Sequence, residues 1–223
     1  MFKRNFIKKT FLSLLTFLLV FTSVPISFTL VTYASGEDDI SVSVRIEAHD
    51  QTLLPKTELE VSPFDISEFI NSGNNRVSSE EVRAIHAIIR ALEKIDGFNP
   101  KDKNQFVLNF GGNYIAQIGQ YGEFTHGQGS GWMYYVDNEY APVGVGELEL
   151  KDGDSIVLYF VEDFMDSTYS WFEQETYEVS EGEPLTLTLK GAGYNSTSTE
   201  GASLLVDEQV YEVDGEPVLF DSN

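Results

Sequence analysis

The sequence contains no cysteine, which excludes disulfide bonds, thiolate metal sites and a cysteine nucleophile. It is also poor in bases, with 14 Lys and Arg against 36 Asp and Glu and a formal charge of -22. Affinity for a phosphate backbone comes from clustered Lys and Arg, so nucleic acid is not an expected partner. Histidine is scarce. His49, His86 and His126 lack the His-x-x-x-His or His-Glu-x-x-His spacing that sets two imidazoles on one metal, and no metal site is expected. The chain has no Gly-x-Ser-x-Gly elbow, no phosphate-cradling Gly-Lys-Ser/Thr loop and no Rossmann pattern, and its many carboxylates single out no catalytic pair. It is therefore not expected to be an enzyme, and no cofactor is required. Oxygen ligands for calcium exist at Glu37-Asp38-Asp39 and Asp152-Gly153-Asp154, but without EF-hand spacing, and Asp-Gly-Asp reads as a tight turn.

Apolar residues are plentiful, at 42% hydrophobic and 13% aromatic, too many for an acidic disordered tail. Residues 1–34 carry Lys3, Arg4, Lys8 and Lys9 but no acid, then an apolar run over 11–24, then small residues about Ala34. This is the pattern of a secretory signal peptide cut after Ala34, the rival being an uncleaved anchor that ties the chain to the membrane. Residues 35–223 then hold 10 bases and 36 acids. An exported chain without cysteine points to a Gram-positive bacterium, with the protein secreted or at the cell surface.

Ile40, Val42, Val44 and Ile46 alternate with Ser41, Ser43, Arg45 and Glu47, which predicts a strand with one buried face. Leu59 and Val61 suggest a second, after a break at Pro55. Ser78 and Glu81 form a capping-box pattern ahead of Val82, Ile85, Ile88, Ile89, Leu92 and Ile95, predicting one helix over 79–96 that stops at Gly97. His86 lies beside its apolar stripe and reads as a satisfied interfacial imidazole. Period two returns at 106–110, followed by a turn or bulge at Gly111-Gly112-Asn113 and an extended or partly helical piece at 114–118. Trp132-Met133-Tyr134-Tyr135-Val136 reads as a strand before an Asp137-Asn138 turn, Leu148 and Leu150 alternate with polar residues, and 156–161 reads as a closing, nearly continuous apolar strand. One helix among some six strands predicts an α+β fold, a β-grasp-like domain with one main helix packed on a mixed sheet over 36–166. After it, 173–223 reads as a partial, incomplete all-β sandwich, with a hairpin about Asp207-Glu208 and with Trp171-Phe172 stapling the two units.

Gly131-Trp132-Met133-Tyr134-Tyr135-Val136-Asp137-Asn138-Glu139, then Gly144-Val145-Gly146, Leu148, Leu150 and Lys151-Asp152-Gly153-Asp154-Ser155-Ile156, resemble the transcobalamin-like C-terminal domain, the DUF4430 family. The resemblance extends over about 40–163, with Asp137-Asn138 standing where an Asn-Gly pair is usual. It implies a β-grasp domain and, as ligand, a corrinoid such as cobalamin or another flat cofactor. More weakly, Gly201-Ala202 to Val206-Asp207 and Val218 to Asn223 resemble the start of a bacterial immunoglobulin-like or carboxypeptidase-regulatory-like sandwich.

Trp132, Tyr134 and Tyr140, beside the glycine-rich loop 121–131, suit either a flat platform for a ligand or, for Trp132 and Tyr134, packing on the helix. Tyr135 on the opposite strand face, with His126 and Gln128 in the loop, complete the expected contact set. The expectation is a non-catalytic extracellular binding module for a small molecule, a cell-surface polymer or a protein. The alternative is a structural spacer of a surface adhesin.

Overall fold

The computed structural model describes residues 39–174, 176–178, 187–193, 203–206 and 209–212, all within the unit Ser35–Asn223. The expected signal peptide lies outside the described residues, as does most of the expected sandwich.

Ile40–Glu47 (β1) and Thr52–Val61 (β2) form an antiparallel hairpin, and Ser155–Val161 (β8) returns to lie parallel to β1 on its other side. Gly131–Val136 (β6) pairs antiparallel with β8 and, through the Asp137-Asn138 turn, with the short Glu139–Tyr140 (β7). The sheet order is β2-β1-β8-β6-β7. Between β2 and β6 the chain makes a 3₁₀ turn at Ser67–Phe69, a helix at Ala84–Leu92 (α1), and a second sheet of Phe106–Asn109 (β3), Tyr114–Ile118 (β4) and Tyr121–Gly122 (β5). After β8, Thr168–Phe172 (β9) pairs with Leu189–Gly193 (β10), and Ser203–Val206 (β11) pairs with Gln209–Glu212 (β12). Among the described residues no helix is long and apolar enough to cross a membrane.

The α+β expectation is corrected. Of the described residues 40% lie in strands and 8% in helical structure, the strands fall into several sheets, and the fold is mostly β instead of a sheet organised around a main helix. The helix expected over 79–96 forms only at Ala84–Leu92. Its upstream part is taken by other partners: Leu150 N–H donates to Val82 O at 2.9 Å and Arg83 bridges Glu149 in an extended pairing. The first helical N–H groups then find carbonyls from far away, Ala84 N–H donating to Leu148 O at 3.0 Å and Ile85 N–H to Val145 O at 2.9 Å. Leu148 accordingly caps α1 and Leu150 bonds to the extended segment ahead of it, instead of the two forming a strand. The Ser78–Glu81 box does not form either, since Ser78 Oγ accepts from Glu80 N–H and Glu81 pairs with Arg83.

Pro55 lies inside β2 without ending it. β2 is an edge strand, where a missing N–H removes no ladder bond, and the register shifts as Val44 faces Thr57 and Ile46 faces Leu54. Asp137 and Asn138 sit at φ 52° and 62°, the paired left-handed residues of a tight hairpin turn.

Val42, Val44 and Ile46 of β1 face Ile85, Ile88, Ile89 and Leu92 of α1 in one continuous core that includes Ile156, Leu158 and Phe160 of β8. Of the nine residues of α1 only Arg90 is not buried, so the helix is enclosed on nearly every side instead of presenting one stripe. His86 is inside with it, at 0% exposure. Its Nδ1 accepts from Arg83 N–H at 2.9 Å, which leaves the proton on Nε2, 3.1 Å from Phe64 O, as donor. Burial, with Arg83 and Arg90 nearby, lowers its pKa from the ordinary 6.5 to about 4, so the ring is neutral near pH 7.

Two outcomes are expected. Ile88→Ala empties a fully buried site and lowers the free energy of unfolding by about 3 kcal/mol, read from urea denaturation. As pH falls from 6.5 toward 4, the unfolded chain binds a proton at position 86 that the folded chain refuses, so this residue's contribution is lost as pH falls, by at most about 3 kcal/mol. Comparing wild type with His86→Gln at about pH 7 and about pH 4.5 isolates that slope, which the variant lacks.

Candidate functional site

A sheet strand alternates its side chains between two faces, and the face of this sheet turned away from α1 carries Arg45 and Glu47 of β1, Val157 and Tyr159 of β8, and Met133 and Tyr135 of β6. β9 and β10 cover it. Tyr169 of β9 stacks on Tyr135 at 4.4 Å between ring centroids and 24° between planes, and its hydroxyl donates to Asn138 Oδ1 at 2.8 Å. Tyr159 lies 5.5 Å from Tyr169 and 5.8 Å from Tyr135, Tyr140 meets Tyr135 edge-on at 5.8 Å, and Trp171 stacks on Tyr169 at 5.4 Å. Burial raises the pKa values of the Tyr135 and Tyr159 phenols above the usual range. These rings are protonated at any physiological pH.

Between this aromatic row and the β9–β10 hairpin runs a groove of about 1040 Å³, walled by Tyr159, Tyr169, Trp171 and Phe172 with Arg45, Glu47, Lys56 and Asn138 at its polar edges. The Arg45 guanidinium is paired with Glu47. A second pocket of about 220 Å³ lies on the other side of β6, between Trp132, Tyr134 and Tyr140 and the backbone of Asn113–Ile115 and Val143–Val145.

Residues 93–162 match the family model of a domain of unknown function, DUF4430. The matched stretch starts at the end of α1 and runs through β3 to β8, so it supplies Tyr135, Tyr140 and Tyr159, while β1, β2 and β9 lie outside it. No curated protein matches the chain.

The five residues expected to contact a ligand do not converge. Trp132 is buried, its Nε1–H donating to Tyr121 O at 2.9 Å and its ring packed edge-on against Phe160. Tyr135 is also buried, at 1% exposure, beneath Tyr169 and on the opposite face from Trp132. Tyr140 is 45% exposed at the sheet edge, where it borders the smaller pocket. His126 sits in the loop after β5, its ring 5.2 Å from Phe160 and 4.9 Å from His49, and Gln128 is exposed at the same loop. Tyr134, the companion of Trp132, packs in the core, with its hydroxyl donating to Val143 O at 2.7 Å. Among the described residues no group of three or more His, Asp or Glu is gathered as a metal site.

Tyr159, Tyr169 and Asn138 were missed from sequence. Tyr159 alternates with the core residues Leu158 and Phe160, so its face was readable, but not the pairing of Met133 with Tyr159 that sets it beside Tyr135. Trp171 was read as a staple, and its partner is Tyr169 at the groove wall.

The stack of Tyr135 and Tyr169 is expected to couple energetically. A double-mutant cycle of Tyr135→Ala and Tyr169→Ala in urea unfolding gives an interaction of about 1 kcal/mol, whereas additive effects would mean the hairpin contributes no specific contact.

Proposed function

We propose that the chain is an exported, non-catalytic binding module that takes a flat, partly apolar ligand in the groove beneath β9 and β10. The observation that carries this reading is the wall of Tyr159, Tyr169 and Trp171 along a groove of about 1040 Å³ with a few polar groups at its edges. Stacked aromatic walls hold planar ligands through dispersion and surface burial, and sparse polar groups fix orientation. Burial keeps the Tyr159 phenol protonated and Arg45 is paired with Glu47, so these groups serve the groove through stacking and hydrogen bonding. The resemblance to the transcobalamin-like C-terminal domain narrows the ligand to a corrinoid or another flat cofactor. In this reading residues 173–223 belong to an immunoglobulin-like sandwich, and the signal-like first 34 residues send the chain out of the cell, where the sandwich presents the module at the surface.

Titration of the protein with cobinamide and with cobalamin, followed by tryptophan fluorescence, tests the reading. Trp171 is at the groove wall and is expected to be quenched on binding, and Trp171→Ala weakens binding at least tenfold. No fluorescence change up to about 100 µM ligand removes the corrinoid and leaves the spacer of a surface adhesin as the better account.

A further inference from the structure

Four aromatic residues from three strands gather on the side of β6 opposite Tyr135. Trp132 and Tyr134 alternate to that face of β6, Tyr114 opens β4 and Tyr140 closes β7. Together they wall the smaller pocket, about 220 Å³, with Val143 at 39% exposure on its outer side and Leu158 at 1% on its inner side. No Lys, Arg or His is among the described residues that line it. The space is roughly 7 Å across, so a cation inside it lies within the roughly 6 Å over which an aromatic face attracts positive charge.

Two carboxylates stand behind this wall, each placed there by a hydrogen bond. The Tyr114 hydroxyl donates to Glu123 Oε2 at 2.6 Å, which draws the phenol proton toward the carboxylate and leaves the ring richer in electrons. Asn113, at the pocket wall, donates from Nδ2 to Glu147 Oε1 at 3.0 Å. Burial raises the Tyr134 phenol pKa above the usual range, and Tyr140 and the Glu147 charge raise it further. Arg83 is close by and donates to Glu147 O at 2.9 Å, but it is flanked by Glu81 and Glu149.

The carbonyls of the wall already have donors. Val143 O accepts the Tyr134 hydroxyl at 2.7 Å, Asn113 O accepts Val145 N–H at 3.2 Å, and Gly144 O accepts Glu147 N–H at 2.9 Å. Asn113 Oδ1 has no partner among the described residues, but it is buried against Gly146, out of a ligand's reach. A primary ammonium has three N–H donors to satisfy and would lose its hydration without replacement. A fully methylated ammonium has none, and its methyl groups carry the charge directly to the ring faces.

We propose that this pocket binds a quaternary ammonium group of the size found in choline, held by cation–π contact with Tyr114, Trp132, Tyr134 and Tyr140 and by the charge of Glu123 and Glu147. The pocket and the groove beneath β9 share no lining residue, so either assignment stands or falls alone.

The chain has two tryptophans, so the full chain carrying Trp171→Phe reports on Trp132 alone. Its fluorescence is followed as choline chloride is added at an ionic strength held constant with NaCl, with the uncharged isostere 3,3-dimethylbutanol as control. The expected result is choline binding with a Kd of about 1 mM or below and an isostere at least roughly tenfold weaker. In the same background Val143→Lys, at an exposed position that leaves the core untouched, weakens choline binding at least roughly tenfold. Tyr140→Leu, which keeps the apolar cover and removes the π face, weakens it roughly fivefold, and Glu147→Gln, which still accepts from Asn113, roughly threefold. No fluorescence change up to about 20 mM choline, an isostere that binds as tightly, or undiminished binding by Val143→Lys overturns the proposal. Flotation with phosphatidylcholine vesicles, with and without competing choline, tells a head group carried on a lipid from a free ammonium; the contact is the same in both, and the choline titration decides it.

Discussion

The parallel pairing of β1 with β8 is the constraint on which the rest of the molecule depends. Ser43 to Glu47 run alongside Ser155 to Tyr159, and Ser43 Oγ–H donates to Ser155 Oγ at 2.9 Å between the two backbones. Because a strand's side chains alternate, that one register fixes both faces of the sheet. Val44, Ile46, Ile156 and Leu158 are turned toward α1, and Arg45, Glu47, Val157 and Tyr159 toward β9. A slip of one residue would exchange the two sets and place a guanidinium and a carboxylate against Ile85 and Ile88. The apolar interior therefore enforces the register, and the register delivers Tyr159 to the aromatic row.

The outer face follows from the inner one. Tyr135 is buried yet stands apart from the main core, since what covers it is Tyr169 from a strand added after the sheet is complete. Among the described residues the cover includes the ring stack, the hydrogen bond to Asn138, contacts to Tyr159 and the approach of Ser167 to Met133. Asn138 thus serves twice, once in the left-handed half of the β6–β7 turn and once as the acceptor that positions Tyr169. Where the hairpin does not touch the sheet, the groove remains.

The sequence was most readable where a local pattern and its structural cause coincide. Ile40 to Glu47, Trp132 to Val136 with its Asp137-Asn138 turn, and Ile156 to Val161 alternate because each lies in a sheet with one face in the core. The helix was readable in kind and not in extent. The capping pattern and apolar spacing suggested a helix of about five turns over 79–96, but the groups that start α1 are the carbonyls of Val145 and Leu148, dozens of residues away, and no helical period announces them. The mostly β character was hidden for a related reason, because β5 and β7 have two residues each and form only by pairing with a longer neighbour. Among the candidate contact residues, the face of Tyr135 was legible from alternation. Its burial was not, since the covering ring belongs to β9, and nothing in the spacing of aromatic residues reports which strand folds back over which.

The position of β8 in the sheet also dictates an order of events. Ser155 follows Ser43 by 112 residues, so at synthesis rates of about 5–20 residues per second β1 waits about 6 to 22 s for its parallel neighbour to exist. Until then the β1–β2 hairpin has one side unpaired and Val42, Val44 and Ile46 uncovered, the condition in which a strand recruits another chain. While β8 is missing, the open side of β1 and its uncovered valines and isoleucine present an edge to which another chain can add.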